Sequence, residues 1–169
     1  NVLLDMINSD YVPTIRLEEI FRQASESRIV VNAHSINSGE CPESGGRDSD
    51  FFFMHRRDEE EIRETIEELV TGRLESYYDF VKGNGDIQVL TPTRKGGLGT
   101  ASLNEMLQSI INPASEEINE RKFGSKVFRE GDKVMQIRNN YQMEWQQLGR
   151  QSGRGIFNGD MGVINTIDN

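Results

Sequence analysis

The hydrophobic pattern of this chain changes once, near Pro113, and that change limits the fold to two unlike parts. Before it, helical periodicities alternate with short apolar runs; after it, short strand-like runs are separated by turn residues. Helical spacing is carried by Val2, Leu3, Met6 and Ile7, and by Ile29, Val30, Ala33 and Ile36 over about 26–38. It returns with Ile62, Ile66, Leu69 and Val70 over 58–74, and with Leu103, Met106, Leu107 and Ile110 over 101–111. Ser25 is the expected N-cap of the second helix and Gly39 its C′ residue. Strands are expected over 11–17, 51–54 and 87–90. This alternation predicts an α/β layer with a mostly parallel sheet. Beyond a boundary at 113–125, strands are expected over 126–129, 132–138 and 162–167, with turns at 130–132 and 158–160. Those features predict a small antiparallel sheet or barrel. The stretch between Tyr141 and Ile156 reads as a long loop.

Charge restricts the partners. The net charge of -9 argues against an evenly basic nucleic-acid-binding surface. The acidity is local, however: residues 40–79 hold 13 acidic and 5 basic residues, whereas 80–169 hold 10 and 11. The acidic run Asp58-Glu59-Glu60-Glu61 opens a helix, where the helix dipole favours it. The rest of the chain is free to meet a polyanion. The single cysteine, Cys41, excludes an internal disulfide and a multi-cysteine metal site, and a reducing, cytoplasmic setting is expected. His34 and His55 do not sit at metal-ligand spacing, so no metal site is expected. No apolar run approaches the ~20 residues of a membrane span. Asn1 opens in mid-periodicity and Asn169 follows a strand-like run, so the expectation is a piece of something longer.

Three segments exceed what packing demands. Arg22, in Glu18-Glu19-Ile20-Phe21-Arg22-Gln23, follows an expected strand end, where α/β sheets bind ligands, and its fork suits a phosphate oxygen. It also reads as a surface arginine paired with a nearby glutamate. The second segment, Thr91-Pro92-Thr93-Arg94-Lys95-Gly96-Gly97-Leu98-Gly99-Thr100, joins a strand to a helix with two cations and three glycines. Such a loop can bring backbone close to a phosphate, and it also reads as an ordinary connection. It is not a nucleotide P-loop, because Lys95 precedes the glycines. The third segment spans Gly131 to Gly162. Asn139, Asn140 and Tyr141 at a strand end could stack on and hydrogen-bond to bases, while Asn158-Gly159-Asp160 also reads as a simple turn.

Taken in order, these blocks resemble superfamily 1 DNA helicases, most closely the RecD-like ATP-dependent helicases often described as exodeoxyribonuclease V alpha subunits. The resemblance rests on residues 1–7, Arg16–Gln23, Ile29–His34, Val89–Gly99 with Leu103-Asn104 and Leu107-Gln108, Gly131–Gln136 with Asn139-Asn140-Tyr141, and Phe157–Gly162. It implies that residues 1–124 are part of the second RecA-like motor domain and that 125–169 begin an inserted SH3-like β-barrel. It gives Arg22 the role of reaching the ATP γ-phosphate, with Gln23 positioning it. It assigns Thr91, Thr93, Arg94, Lys95 and Gly97 to single-stranded DNA, along with Asn139, Asn140, Tyr141 and Asn158. ATP and Mg²⁺ would be bound mainly by parts absent here, since no Walker A loop or acidic Mg²⁺ motif is present. The implied partners are single-stranded DNA, the first RecA-like domain of the same parent and other recombination subunits. The parent would translocate 5′→3′, and this piece alone would be inactive. Two readings stay open beside it: a non-enzymatic nucleic-acid- or protein-binding module, and a subunit acting within a nuclease complex.

Overall fold

Helix α1 runs over Val2–Asn8, and α2 over Arg28–Asn37. Ser27, not Ser25, is the N-cap of α2, and a distant carboxylate completes it. The Ser27 hydroxyl donates to Asp50 Oδ2 (2.5 Å), and the Arg28 N–H donates to Asp50 Oδ1 (2.8 Å). These bonds, led by that of Ser27, hold the Asp50 carboxyl below its ordinary range. At the other end Gly39 adopts φ +84°, which lets the Glu40 N–H reach the Ser35 carbonyl at 2.8 Å. Asn32 is 2% exposed and clamps the following loop. Its Nδ2 donates to the Glu43 carbonyl, and its Oδ1 accepts from the Glu43 N–H, both at 2.9 Å.

This computed structural model describes residues 2–9, 11–15, 27–46, 48–78, 87–147 and 151–168. The chain divides into two units, Asn1–His55 and Arg56–Asn169. The elements above belong to the first.

In the second unit, α3 spans Glu59–Glu68. Its N-cap Asp58 accepts the N–H groups of Glu60 and Glu61 at 3.0 Å, satisfying two donors that a helix start leaves orphaned. The helix expected to run on to Leu74 is interrupted. Gly72, at φ +142°, lies in a π-helical turn over Leu69–Arg73, and a short α4 follows over Leu74–Tyr77. Helix α5, Thr100–Ile111, matches its expected span and buries Leu103.

Six strands follow. They are β1 (Glu120–Phe123), β2 (Lys126–Arg129), β3 (Lys133–Met135), β4 (Asn140–Gln147), β5 (Gln151–Ile156) and β6 (Met161–Val163). They pair antiparallel as β1–β2, β3–β6 and β4–β5. Hydrogen bonds from Gly131 N–H to Ile164 O (2.7 Å) and from Gln136 N–H to Asp160 O (2.8 Å) extend the β3–β6 pairing at both ends.

The expected mostly parallel sheet is not seen: among the described residues every ladder is antiparallel, and 11–15, 51–54 and 87–90 join none. An apolar run favours extended backbone, but a strand also needs a neighbour for its N–H and C=O groups. Ile15 and Leu90 are instead 89% and 86% exposed. Conversely, the expected loop between Tyr141 and Ile156 is largely the β4–β5 hairpin. No helix among the described residues is long and apolar enough to cross a membrane.

The joint between α5 and the strands is polar. Asp132 Oδ2 accepts from Gln108 Nε2 (2.6 Å) and from the Arg129 N–H (2.8 Å), and Oδ1 accepts from Asn112 Nδ2 (2.7 Å). Arg129 returns a bond to the Asn112 carbonyl at 3.1 Å. One carboxylate thus ties the C-terminal half of α5 to the β2–β3 turn.

Candidate nucleic-acid interface

The Gly-rich loop is closed on itself. Thr91 Oγ1 donates to the Leu98 carbonyl (2.7 Å), the Thr100 N–H to Thr93 O (3.1 Å), and the Gly99 N–H to Gly96 O (3.1 Å). Gly96 supplies the left-handed backbone at φ +89°. Gly99 is buried so tightly that a Cβ there would lie 2.7 Å from the backbone of Arg94 and Lys95. From α3, Arg63 Nη1 donates to Gly97 O (3.0 Å) and to Ser102 Oγ (2.9 Å). Thr93, Arg94 and Lys95 remain exposed on the outside of this ring. Two cations are thereby held on a constrained backbone, the arrangement that suits phosphate oxygens.

The second cluster draws together residues far apart in sequence. Asn139 Nδ2 donates to Tyr141 Oη at 3.1 Å, while Asn139 Oδ1 accepts the Asn158 N–H at 2.9 Å. With its amide nitrogen turned toward them, Asn158 donates to the carbonyls of Gln136 and Ile137 at 3.3 Å. The Tyr141 ring meets the Phe157 ring edge-on, with centroids 5.8 Å apart. Tyr141 sits where β4 carries extra residues: Asn140 pairs with Ile156, but Glu144 pairs with Arg154. Such irregularities re-aim side chains, and here they leave Tyr141 64% exposed. An open, rigid aromatic surface beside amide donors and acceptors can stack on a base and read its edge. Asn140 is half-buried, and its Oδ1 accepts the Gln142 N–H at 3.2 Å.

Two open grooves of about 460 and 470 Å³ share Trp145 as a wall. The Trp145 ring lies over Gly153, where a Cβ would come within 2.8 Å of its Cε2. Arg154 is engaged across the hairpin by Glu144 at 2.7 Å.

Residues 103–169 match the family model for the SH3 domain of ATP-dependent RecD-like DNA helicases. Over 90% of its length the chain is 31% identical to the ATP-dependent RecD2 DNA helicase of Deinococcus radiodurans. On both comparisons the chain is similar to part of a RecD-like helicase. It is also 32% identical, over 62% of its length, to an uncharacterized protein of Methanocaldococcus jannaschii. It spans 18% and 9% of those two relatives.

In this chain, Arg22 and Gln23 lie outside the described residues. Of the other sequence candidates, Thr91, Thr93, Arg94, Lys95 and Gly97 share the Gly-rich ring, and Asn139, Tyr141 and Asn158 share the amide–aromatic cluster. Sequence reasoning gave no named site role to Phe157, Arg63 or Gly99, although Phe157 and Gly99 lie in the segments it singled out. Phe157 stood beside Asn158 as a visible clue, and Gly99 opened a recognised helix. Arg63 gave no signal, because its partners lie 34 and 39 residues away. No three His, Cys, Asp or Glu side chains among the described residues converge to hold a metal.

Proposed function

We propose that this chain is the DNA-gripping portion of an ATP-dependent helicase motor, with residues 1–124 in the second RecA-like domain and 125–169 opening an SH3-like barrel. The convergence of Asn139, Tyr141, Phe157 and Asn158 into one exposed amide–aromatic cluster carries this reading. In it, Arg94 and Lys95 neutralise phosphates of single-stranded DNA and Thr93 offers a hydroxyl. Thr91 and Gly97 hold the loop's shape. Tyr141 and Phe157 supply a stacking platform, and Asn139, Asn140 and Asn158 fix it or meet base edges.

Arg22 reaches the γ-phosphate of ATP across a cleft shared with the first RecA-like domain and stabilises charge in the phosphoryl-transfer transition state, with Gln23 positioning it. ATP and Mg²⁺ are bound by other parts of the parent protein. The parent translocates 5′→3′ in the cytoplasm during recombination or repair, alone or beside other recombination subunits. The 169-residue chain by itself hydrolyses no ATP.

Turnover in a full-length helicase carrying this segment tests the reading. Arg22→Ala should collapse kcat for ATP while sparing ATP binding, and Tyr141→Ala should raise the DNA concentration needed for stimulation. Normal turnover in the first variant and unchanged stimulation in the second would overturn it.

A further inference from the structure

The β1–β2 hairpin carries a second, unassigned patch. Its strands pair Arg121 with Phe128, Lys122 with Val127 and Phe123 with Lys126. Gly124, at φ +63°, supplies the left-handed backbone that so tight a turn requires. Directly paired residues share a face, and faces alternate along a strand. Arg121, Phe123 and Lys126 therefore stand together on one face. Lys122, Val127 and the Glu120–Arg129 ion pair occupy the other.

The first face has the chemistry of a single-strand contact. Phe123 is 79% exposed at the end of its strand. Lys126 pairs directly opposite it, is exposed, and has no ion-pair partner among the described residues. Among the described residues Arg121 makes only a 3.4 Å bond to the Asp168 carbonyl, which leaves most of its donors without a partner there. No acidic residue falls between Arg121 and Arg129, in a chain whose net charge is -9. The glutamate nearest in sequence, Glu120, lies on the opposite face and is engaged by Arg129 at 2.9 Å.

An exposed ring costs little when it is covered by another flat apolar surface, and cations flanking it select a ligand that brings anions with its rings. A single nucleic-acid strand does both. We propose that the β1–β2 hairpin is an additional single-stranded DNA contact, with Phe123 stacking on a base and Arg121 and Lys126 holding the adjoining phosphates. The choice of DNA rests on the helicase reading above.

Anisotropy of a labelled oligo-dT with the full chain tests it, with Lys122 as an internal control of equal charge on the other face. Phe123→Ala should weaken binding about 5- to 150-fold, and Phe123→Trp should retain it. Lys126→Ala should flatten the dependence of log K on log salt by about 0.7, whereas Lys122→Ala should leave it unchanged. Equal losses in Lys122→Ala and Lys126→Ala would reduce the patch to diffuse charge and overturn the proposal. So would an unchanged affinity in Phe123→Ala. If Arg94→Ala/Lys95→Ala weakens binding while no hairpin variant does, only the hairpin contact falls. If the wild-type chain binds no oligo-dT, both readings fall.

Discussion

Arg63 on α3 donates to the carbonyl of Gly97, 34 residues away, at 3.0 Å. The same nitrogen reaches Ser102 Oγ in the first turn of α5 at 2.9 Å. One guanidinium from the most acidic helix thus braces the loop that displays Arg94 and Lys95. Replacing Arg63 by Ala should cost about 1–3 kcal/mol, the usual range for losing hydrogen bonds from a charged, partly buried donor. Urea unfolding of the chain measures it.

The glycines of this loop should respond unequally. A Cβ at Gly99 meets backbone atoms of Arg94 and Lys95 at 2.7 Å, and backbone cannot step aside. At Gly97 the obstacle is the Glu59 carboxylate, the far end of a flexible side chain. Gly99→Ala should therefore destabilise by about 1–3 kcal/mol through overpacking and weaken single-strand binding. Gly97→Ala should do much less. Thermal melts and anisotropy on the pair compare them directly.

The loop and α5 also show what the sequence could and could not reveal. Helix α5 was legible almost to the residue, because Leu103, Met106, Leu107 and Ile110 make a clean stripe and glycines precede it. Strand β2 was legible from a short apolar core between turn signals. The β4–β5 hairpin was not. Gln151-Ser152-Gly153-Arg154-Gly155 has no apolar alternation, and its ladder depends on the Trp145 ring settling over a residue without a side chain. The three apolar runs taken for strands report extended preference only, since pairing is a property of neighbours. At the site, residue types singled out Asn139, Tyr141 and Asn158 one by one, but their meeting, and the closure of that cluster by Phe157, is a tertiary fact.

Asp132 should be the most sensitive position of the α5–strand joint. Removing its carboxylate takes an acceptor from Gln108 Nε2, Asn112 Nδ2 and the Arg129 N–H at once, leaving the two amides only their bonds to the Val127 and Glu130 carbonyls. Asp132→Ala should cost about 2–4 kcal/mol, as several partly buried donors lose a charged acceptor together. A urea midpoint within error of wild type would remove Asp132 from that role.

Acid should loosen the edge near Glu130. The Asn119 side chain and then the Ile167 N–H donate to its carboxylate, holding its pKa below the ordinary 4.5. A folded-state pKa below the unfolded one adds stability that is complete above about pH 4.5 and is lost as pH falls through the depressed value. Glu130→Gln should flatten the fall in urea midpoint between neutral pH and pH 3. An identical fall in the variant would assign it to other carboxylates.

The salt dependence of single-stranded DNA binding tests the nucleic-acid reading most directly. Anisotropy should be recorded with oligo-dT across a salt series for the wild-type chain, Arg94→Ala/Lys95→Ala and Tyr141→Ala. The expected result is a negative slope of log K against log salt, flattened by about 1.4 in the double variant. Tyr141→Ala should keep the slope but lose about 5- to 150-fold in affinity. A wild-type chain that does not bind, or variants that bind as the wild type does, would contradict the assignment of these residues to DNA.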